Sequence, residues 1–305
     1  INIYLLKLGL LKTTNKIKDL IRLNHWKNND EIIFRIGLAS LLAAKHNYQN
    51  YKSLYEADLK VFSEYGEDGI IDFILNRLKI YKPSFVEIGT QDYSESNTRF
   101  IYQRTNTKGL IIDCDKNLIP KVQKTLFNYF WRGNIEIKSE FINRENILEN
   151  LSSVIKNNKI NVDVFSLDID GNDYWIMEEI MPFMNSNLII LEYNPFFGSK
   201  ISISTPYKKN FNRTKYHFSN LCFGASLKAF FQLLEKYDYV FLGSNINNNN
   251  GFWIKRSKLD AFNLDIPKID LLHKYTNCFT RESRDINGKL NYLNKDKIID
   301  EIKKC

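Results

Sequence analysis

Short apolar runs recur along the middle of this chain, each followed by a polar stretch long enough for a helix. They fall near 84–88, 109–113, 135–138, 162–168, 187–193, 238–242 and 251–255, and they are rich in Val, Ile, Leu and Phe. Continuous apolar runs alternating with amphipathic segments predict parallel strands covered by helices on both faces. The last two runs, Tyr239-Val240-Phe241-Leu242 and Phe252-Trp253-Ile254, are separated only by Gly243 to Gly251. That interval has no room for a crossover helix, so this pair is expected to be antiparallel. The expectation is therefore an α/β fold with a seven-stranded, mostly parallel sheet and an antiparallel final hairpin.

Flanking this core, residues 1–60 show helical spacing, with Leu5, Leu8 and Leu11, Leu6 and Leu10, then Ile17, Leu20 and Ile21 three or four apart. They read as a helical appendage whose apolar face packs on the main domain or on a second copy, making a homo-oligomer. Lys7, Lys12, Lys16, Lys18 and Arg22 also allow peripheral contact with a membrane surface. Residues 61–256 form the expected α/β domain and 257–305 a polar, helical tail punctuated by Pro267 and Gly288.

Composition adds bounds. At 305 residues and 44% hydrophobic, the chain can bury a substantial core. The 43 basic and 35 acidic residues give +8, which favours an anionic partner or surface but is spread too evenly to name one; no nucleic-acid partner is expected. Cys114, Cys222, Cys278 and Cys305 form no Cys-x-x-Cys pair, so no structural zinc site is expected and a reducing compartment is the simpler reading. No apolar run approaches the ~18 residues of a membrane span, and no signal-peptide pattern opens the sequence; a cytoplasmic location is expected.

Candidate chemistry gathers where the apolar runs end. Val86-Glu87-Ile88-Gly89-Thr90-Gln91-Asp92 passes from a strand to an acid, a glycine and a polar loop, and Leu110-Ile111-Ile112-Asp113-Cys114-Asp115 ends a second strand in acids. One strand-helix-strand unit apart, they suggest a nucleoside pocket: the glycine allows close backbone approach and the second acid binds a ribose. Neither Gly-x-Gly-x-x-Gly nor a Gly-Lys-Ser/Thr loop is present, so a cofactor without phosphates fits better. S-adenosylmethionine is such a cofactor, with Glu87 and Gly89 beside its methionine portion and Asp113 on its ribose. Ahead of this unit, Gly66-Glu67-Asp68-Gly69 opens a helix pattern and is placed to close over the methionine end.

The run Val164 to Leu167 delivers Asp168, Asp170 and Asp173 within six residues, and carboxylates that close are costly unless a cation, donors or protonation compensates. The next run ends in Glu192-Tyr193-Asn194, so adjacent strand ends are expected to join Asp168 or Asp170 with Glu192 and Asn194. Such an oxygen-rich pocket suits a general base or Mg²⁺, the metal set being Asp170, Glu192 and Asn194. The insertion from Pro195 to Gly224 is long, aromatic and basic, and includes Arg213 and His217. Its aromatic faces suit sugar rings, its Lys and Arg an anionic group, and His217 is a further candidate base.

These segments resemble bacterial class I S-adenosylmethionine-dependent methyltransferases of the FkbM-like group. The resemblance runs from about 60 to 256 and rests on Ser63–Ile71, Val86–Arg99 with Ser96-Asn97-Thr98, Gly109–Asp115, Glu140-Phe141-Ile142 to Glu145-Asn146-Ile147, Ser166–Tyr174, Glu192-Tyr193-Asn194 and Phe223–Leu227. It implies a Rossmann-like sandwich and methyl transfer to an oxygen or nitrogen of a small molecule, with a sugar or glycan-pathway acceptor expected. Gln91 and Tyr93 depart from the family pattern by standing where glycine is often found. Across the matching segments the candidate cofactor-binding residues are Glu67, Asp68, Glu87, Gly89, Thr90, Gln91, Asp92, Asn97, Asp113, Cys114, Asp115, Glu140, Phe141 and Asp168. The candidate catalytic residues are Asp168, Asp170 and His217. Two rivals keep the fold: a metal-dependent nucleotide-sugar transferase, for which Asp168-Ile169-Asp170 supplies half a signature, and a non-catalytic scaffold.

Overall fold

The computed structural model of the chain describes residues 29–127, 133–268 and 283–291. The chain divides into two compact units, Ile1–His46 and Asn47–Cys305. In the first unit, α1 is helical from 29 to 44 and exposes Ile32, Ile33, Ile36 and Leu42. The leucine and lysine pattern expected before residue 29 lies outside the described residues, as does most of the tail. Among the described residues no helix is long and apolar enough to cross a membrane.

The second unit is built on a seven-stranded sheet, with β1 at Phe85–Ile88, β2 at Gly109–Asp113, β3 at Ile135–Ser139, β6 at Val164–Leu167, β7 at Leu188–Glu192, β8 at Tyr239–Ser244 and β9 at Asn250–Lys255. Each strand lies within two residues of its sequence expectation. The order is β3-β2-β1-β6-β7-β9-β8. All neighbours are parallel except β9, which inserts between β7 and β8 antiparallel to both. This is the Rossmann-like sheet of the class I methyltransferase fold. A separate two-stranded hairpin, β4 at Ile155–Lys156 and β5 at Lys159–Ile160, was not expected; Asn157 and Asn158 make its turn with left-handed backbone, which Asn adopts more readily than most residues.

Alternation along each strand assigns the two faces. Val86, Ile88, Leu110, Ile112, Phe165, Leu167, Ile189 and Leu191 share one core with Ile176, Met177 and Ile180 of α6 (Asp173–Ile180) and with Leu227, Phe230, Leu233 and Leu234 of α8 (Leu227–Glu235). Ser226 caps α8 by accepting from the Ala229 N–H. On the opposite face Phe85 meets Tyr102 of α3 (Arg99–Thr105). The helix α2 spans Glu67–Arg77, α4 Leu118–Thr125, and the single turns α5 and α7 Ile147–Asn150 and Arg213–Tyr216. After β9 the described tail is a 3-10 turn, Arg256–Ala261, then irregular chain to 268. Cys114 is a free thiol, whereas Cys222 is disulfide-bonded, which runs against the reducing-compartment expectation.

From β1 the chain winds outward through β2 and β3, then returns to place β6 on the other side of β1. The switch point of an open parallel sheet is where its strand ends leave a crevice for ligands.

Candidate functional site

A cavity of about 370 Å³ opens at this switch point, within the range of small-molecule sites. The carboxyl ends of β1, β2 and β3 supply Gly89, Gln91, Asp113, Cys114, Glu140 and Phe141. The ends of β6 and β7 supply Asp168, Asp170 and Glu192, and the insertion adds Phe211 and Arg213. Glu64 and Tyr65 approach from the segment before α2 and Asn249 from the β8–β9 turn.

The β1 end is held by close packing and by hydrogen bonds. Gly89 has a φ of +86°, and a Cβ there would lie 1.5 Å from the Asp168 carbonyl oxygen. Only glycine lets the β1 loop lie against the end of β6. Gln91 and Tyr93, the two departures from the family pattern, both adopt left-handed backbone, with φ of 49° and 64°. The loop thus keeps a glycine-like course without glycines. Two contacts hold it there: the Gln91 N–H donates to Asp113 Oδ2 at 2.8 Å, and Tyr93, fully buried, shares a 2.9 Å hydroxyl contact with Thr98. Asp113 Oδ1 also accepts from the Asp115 N–H at 2.9 Å, so this carboxylate is fixed from two sides while lining the cavity.

Several predicted cofactor residues lie behind the wall. Glu87 is buried and accepts from Ser96 Oγ, from the Asn97 and Thr98 N–H groups and from Thr98 Oγ1. Burial pushes its carboxyl up and these donors oppose the shift. Asn97 reaches Ser166 through its Nδ2. Asp68 Oδ2 collects the Val61, Phe62 and Ser63 N–H groups and the Ser63 hydroxyl, holding the strap that carries Glu64 and Tyr65; burial raises Asp68 to about 6. Glu67 accepts from the side chains of Asn245 and Asn250 and from the Tyr65 N–H, tying that strap to the β8–β9 turn. Asp92 accepts from Ser94, Asp115 pairs with Lys121, and Thr90 is buried with its hydroxyl unpartnered among the described residues. Of the fourteen, Gly89, Gln91, Asp113, Cys114, Glu140, Phe141 and Asp168 line the cavity.

At the β6–β7 end, Asp168, Asp170 and Glu192 converge with one carboxylate oxygen of each within 4.8 Å of the others. Asp170, in left-handed backbone with a φ of 54°, pairs with Arg213 at 2.5 Å. Arg213 Nε donates to the Asn220 carbonyl and its guanidinium lies 3.9 Å from the Phe223 ring centroid, so the cation is held rigidly. Asp173, the third acid of the run, turns inward and accepts from the Ile169 and Gly171 N–H groups, shaping the turn; burial raises it to about 6. Asp168 and Glu192 are both pushed well above the ordinary carboxylate range, by burial first and then by neighbouring acids.

Two sequence candidates stand apart from this cluster. Asn194 is fully buried, donates its Nδ2 to the Leu221 and Phe223 carbonyls and accepts from the Phe196 N–H, so its amide anchors the insertion. His217 shares its Nδ1 with Ser219 Oγ at 2.7 Å and lies against Phe218, away from the cavity lining. Asn249, Asn172 and Phe211 line the cavity without having been singled out as site residues. Phe211 had a structural signal in Gly171, where a Cβ would lie 2.2 Å from the Phe211 ring.

No family model matches the chain, and no curated protein matches it. Among solved structures, the chain is similar to an O-methyltransferase from Bacillus cereus in complex with SAH, at 12% identity over 73% of this chain and 89% of that one, with a TM-score of 0.40. It is also similar to an SAH-bound methyltransferase from Podospora anserina, at 12% identity over 63% and 79%, with a TM-score of 0.39.

The cavity's own residues divide it in two. One end offers a fixed carboxylate, a glycine and the exposed ring of Phe141, groups suited to a nucleoside. The other offers acids of raised proton affinity, suited to taking a proton or facing a cation.

Proposed function

We propose that this chain is an S-adenosylmethionine-dependent methyltransferase acting on a hydroxyl of a small molecule, with a sugar or glycan-pathway compound as acceptor. The observation that carries the reading is Asp113, held by the Gln91 and Asp115 N–H groups at the rim of the cavity beside Gly89. A carboxylate oriented this way keeps lone pairs for a ribose diol, as an acid at the end of the second strand does in nucleoside sites. Glu140 and Phe141 stand at the neighbouring strand end for a base. The Glu140 N–H donates to the Asp113 carbonyl at 2.8 Å and ties the ends of β2 and β3 together, so ribose and base positions are set as one piece. The wall carries no glycine-rich phosphate cradle, which favours a cofactor without phosphates.

Bound there, the cofactor supplies an electrophilic methyl group on sulfur. The chain's own residues do the rest. Gly89 and Gln91 hold the nucleoside end in place, and the rings of Tyr65 and Phe211 offer faces for a sugar ring. Asp168, which lines the cavity beside Glu192, accepts the proton of the acceptor hydroxyl as general base. Arg213 holds Asp170 beside them. Most of the rate gain is expected from positioning two reactants in one enclosed site.

Calorimetry with S-adenosylmethionine and its demethylated product tests the reading. Both are expected to bind, and Asp113→Ala to weaken both about tenfold or more, in line with the loss of a hydrogen bond to a charged group. Absence of binding at millimolar ligand would sink it. Mass spectrometry of small molecules that copurify with the chain gives an independent check.

A further inference from the structure

We propose that the rim of the cavity at Lys208, Lys209 and Lys215 is a subsite for an anionic group of the acceptor, a carboxylate or phosphate carried on a sugar. This deepens the acceptor part of the methyltransferase reading and rests on it.

The charge of the insertion is one-sided. Residues 195–224 hold Lys200, Lys208, Lys209, Arg213 and Lys215 and no Asp or Glu, so five positive charges of a chain with a net +8 stand on one connection. The cavity beneath it is the reverse: its lining holds six acids and, among the described residues, one cation, Arg213, which is paired with Asp170. An anion is repelled from that interior and attracted to the rim. An acceptor hydroxyl can therefore enter the cavity while a charged group of the same molecule stays outside.

Contacts fix the rim to the cavity wall. Asn172 lines the cavity and donates its Nδ2 to the Lys208 carbonyl at 2.7 Å. The same carbonyl accepts from the Phe211 N–H at 3.0 Å, a turn that brings Phe211 into the lining. Phe211 packs on Tyr216, with ring centroids 5.0 Å apart and planes tilted by 32°, and Lys208 Nζ lies 4.5 Å from the Tyr216 ring centroid. One ridge thus runs from an aromatic face in the cavity to a cation outside it. Lys208, Lys209 and Lys215 are exposed and form no ion pair among the described residues, whereas Arg213 is spent on Asp170. Glu145 lies within the field of Lys209 but accepts from the Tyr207 hydroxyl at 2.8 Å.

The same segment points to the kind of partner. Its exposed residues from 208 to 215 are Lys208, Lys209, Asn210, Asn212, Thr214 and Lys215, all polar. A face that binds lipid carries exposed apolar groups among its cations, and this one has none. Lysines form charge-assisted hydrogen bonds to carboxylate or phosphate, and the ring faces beside them suit a sugar.

Calorimetry on the full chain compares tetragalacturonate with the neutral maltotetraose, and glucose 6-phosphate with glucose. The proteins are the wild type, the triple variant Lys208→Gln/Lys209→Gln/Lys215→Gln, and a control, Lys82→Gln/Lys156→Gln/Lys236→Gln, that removes the same charge from exposed lysines outside the insertion. The wild type is expected to bind at least one charged sugar about tenfold or more tightly than its neutral counterpart, and which of the two it prefers tells carboxylate from phosphate. The triple variant is expected to lose that preference, as the loss of three exposed ion pairs together would give, and the control to keep it. Thermal midpoints report folding. The proposal is overturned if neither charged sugar binds the wild type better than its neutral counterpart, if the triple variant keeps the preference, or if the control loses it equally. It is also overturned if the triple variant loses binding to phosphatidylglycerol vesicles while its sugar affinities stay as in the wild type. Failure of S-adenosylhomocysteine to bind the wild type counts against the methyl-donor reading alone, because the sugar comparison still decides the rim.

Discussion

Glu87 and Glu192 occupy equivalent places, each the acid near the carboxyl end of a buried strand of the same sheet, and the structure treats them in opposite ways. Glu87 is surrounded by donors from Ser96, Asn97 and Thr98 and sets the loop behind the cavity. Glu192 faces Asp168 and the cavity, and no N–H of the described residues reaches it. Charge satisfied within the protein contributes to stability; charge left facing a cavity costs stability and is available to a ligand. Removing an acid should therefore have opposite effects at the two ends of the site.

The largest expected effect lies at the contact between those ends. Gly89→Ala puts a methyl group 1.5 Å from the Asp168 carbonyl, at a φ of +86°. Neither the backbone nor a flexible side chain can yield cheaply, so a loss of about 3 kcal/mol is expected, the upper part of the range for overpacking. Urea denaturation measures it, and an unchanged midpoint would mean that β1 and β6 are not in this contact.

Next in size is the pair of acid removals. Glu87→Gln replaces one accepting oxygen by an amide that must face the donors of Ser96 or Thr98, and a loss of about 2 kcal/mol is expected for a hydrogen-bonded buried charge. Glu192→Gln is expected to stabilise near neutral pH, since it removes an acid whose charged form burial and the neighbouring Asp168 both disfavour. The same denaturation experiment reads both, and destabilisation by Glu192→Gln would erase the contrast.

That contrast explains how much of the molecule could be read from sequence. Apolar runs located all seven strands, because burial on two faces demands them, and the short Gly243–Gly251 connection required an antiparallel partner. The order in which β9 enters the sheet was not legible, since periodicity does not name neighbours. Nor did strand-end position distinguish Glu87 from Glu192, because the difference comes from loops that bring donors to one and not the other. Asn194 misled for a related reason: an amide at a strand end can line a cavity or anchor the insertion, and the Leu221 and Phe223 carbonyls decide for the anchor. Gln91 and Tyr93 looked like a break in the loop pattern, yet they take the left-handed backbone that glycine usually supplies.

A smaller effect, and the one that bears most directly on the floor acids, is the dependence of stability on pH. Asp168 and Glu192 have folded-state proton affinities raised above their unfolded ones by burial and by each other. Between the unfolded value, near 4, and the raised folded values, the folded chain binds more protons than the unfolded chain. Their contribution is therefore fully present below the unfolded value and is lost as pH rises through the folded ones. Asp68 and Asp173, each raised to about 6, add a decline of the same sign that is complete a little above pH 6. Glu192→Gln removes the part of the decline due to Glu192, which starts at its unfolded value, and leaves the part due to Asp68 and Asp173. Midpoints measured from pH 5 to 8 should thus fall less steeply in the variant than in the wild type, from the lower end of the range upward. Parallel curves across the whole range would mean that Glu192 is not one of the acids whose charge the fold resists, and the cavity floor would then be no different in kind from the donor-rich loop around Glu87.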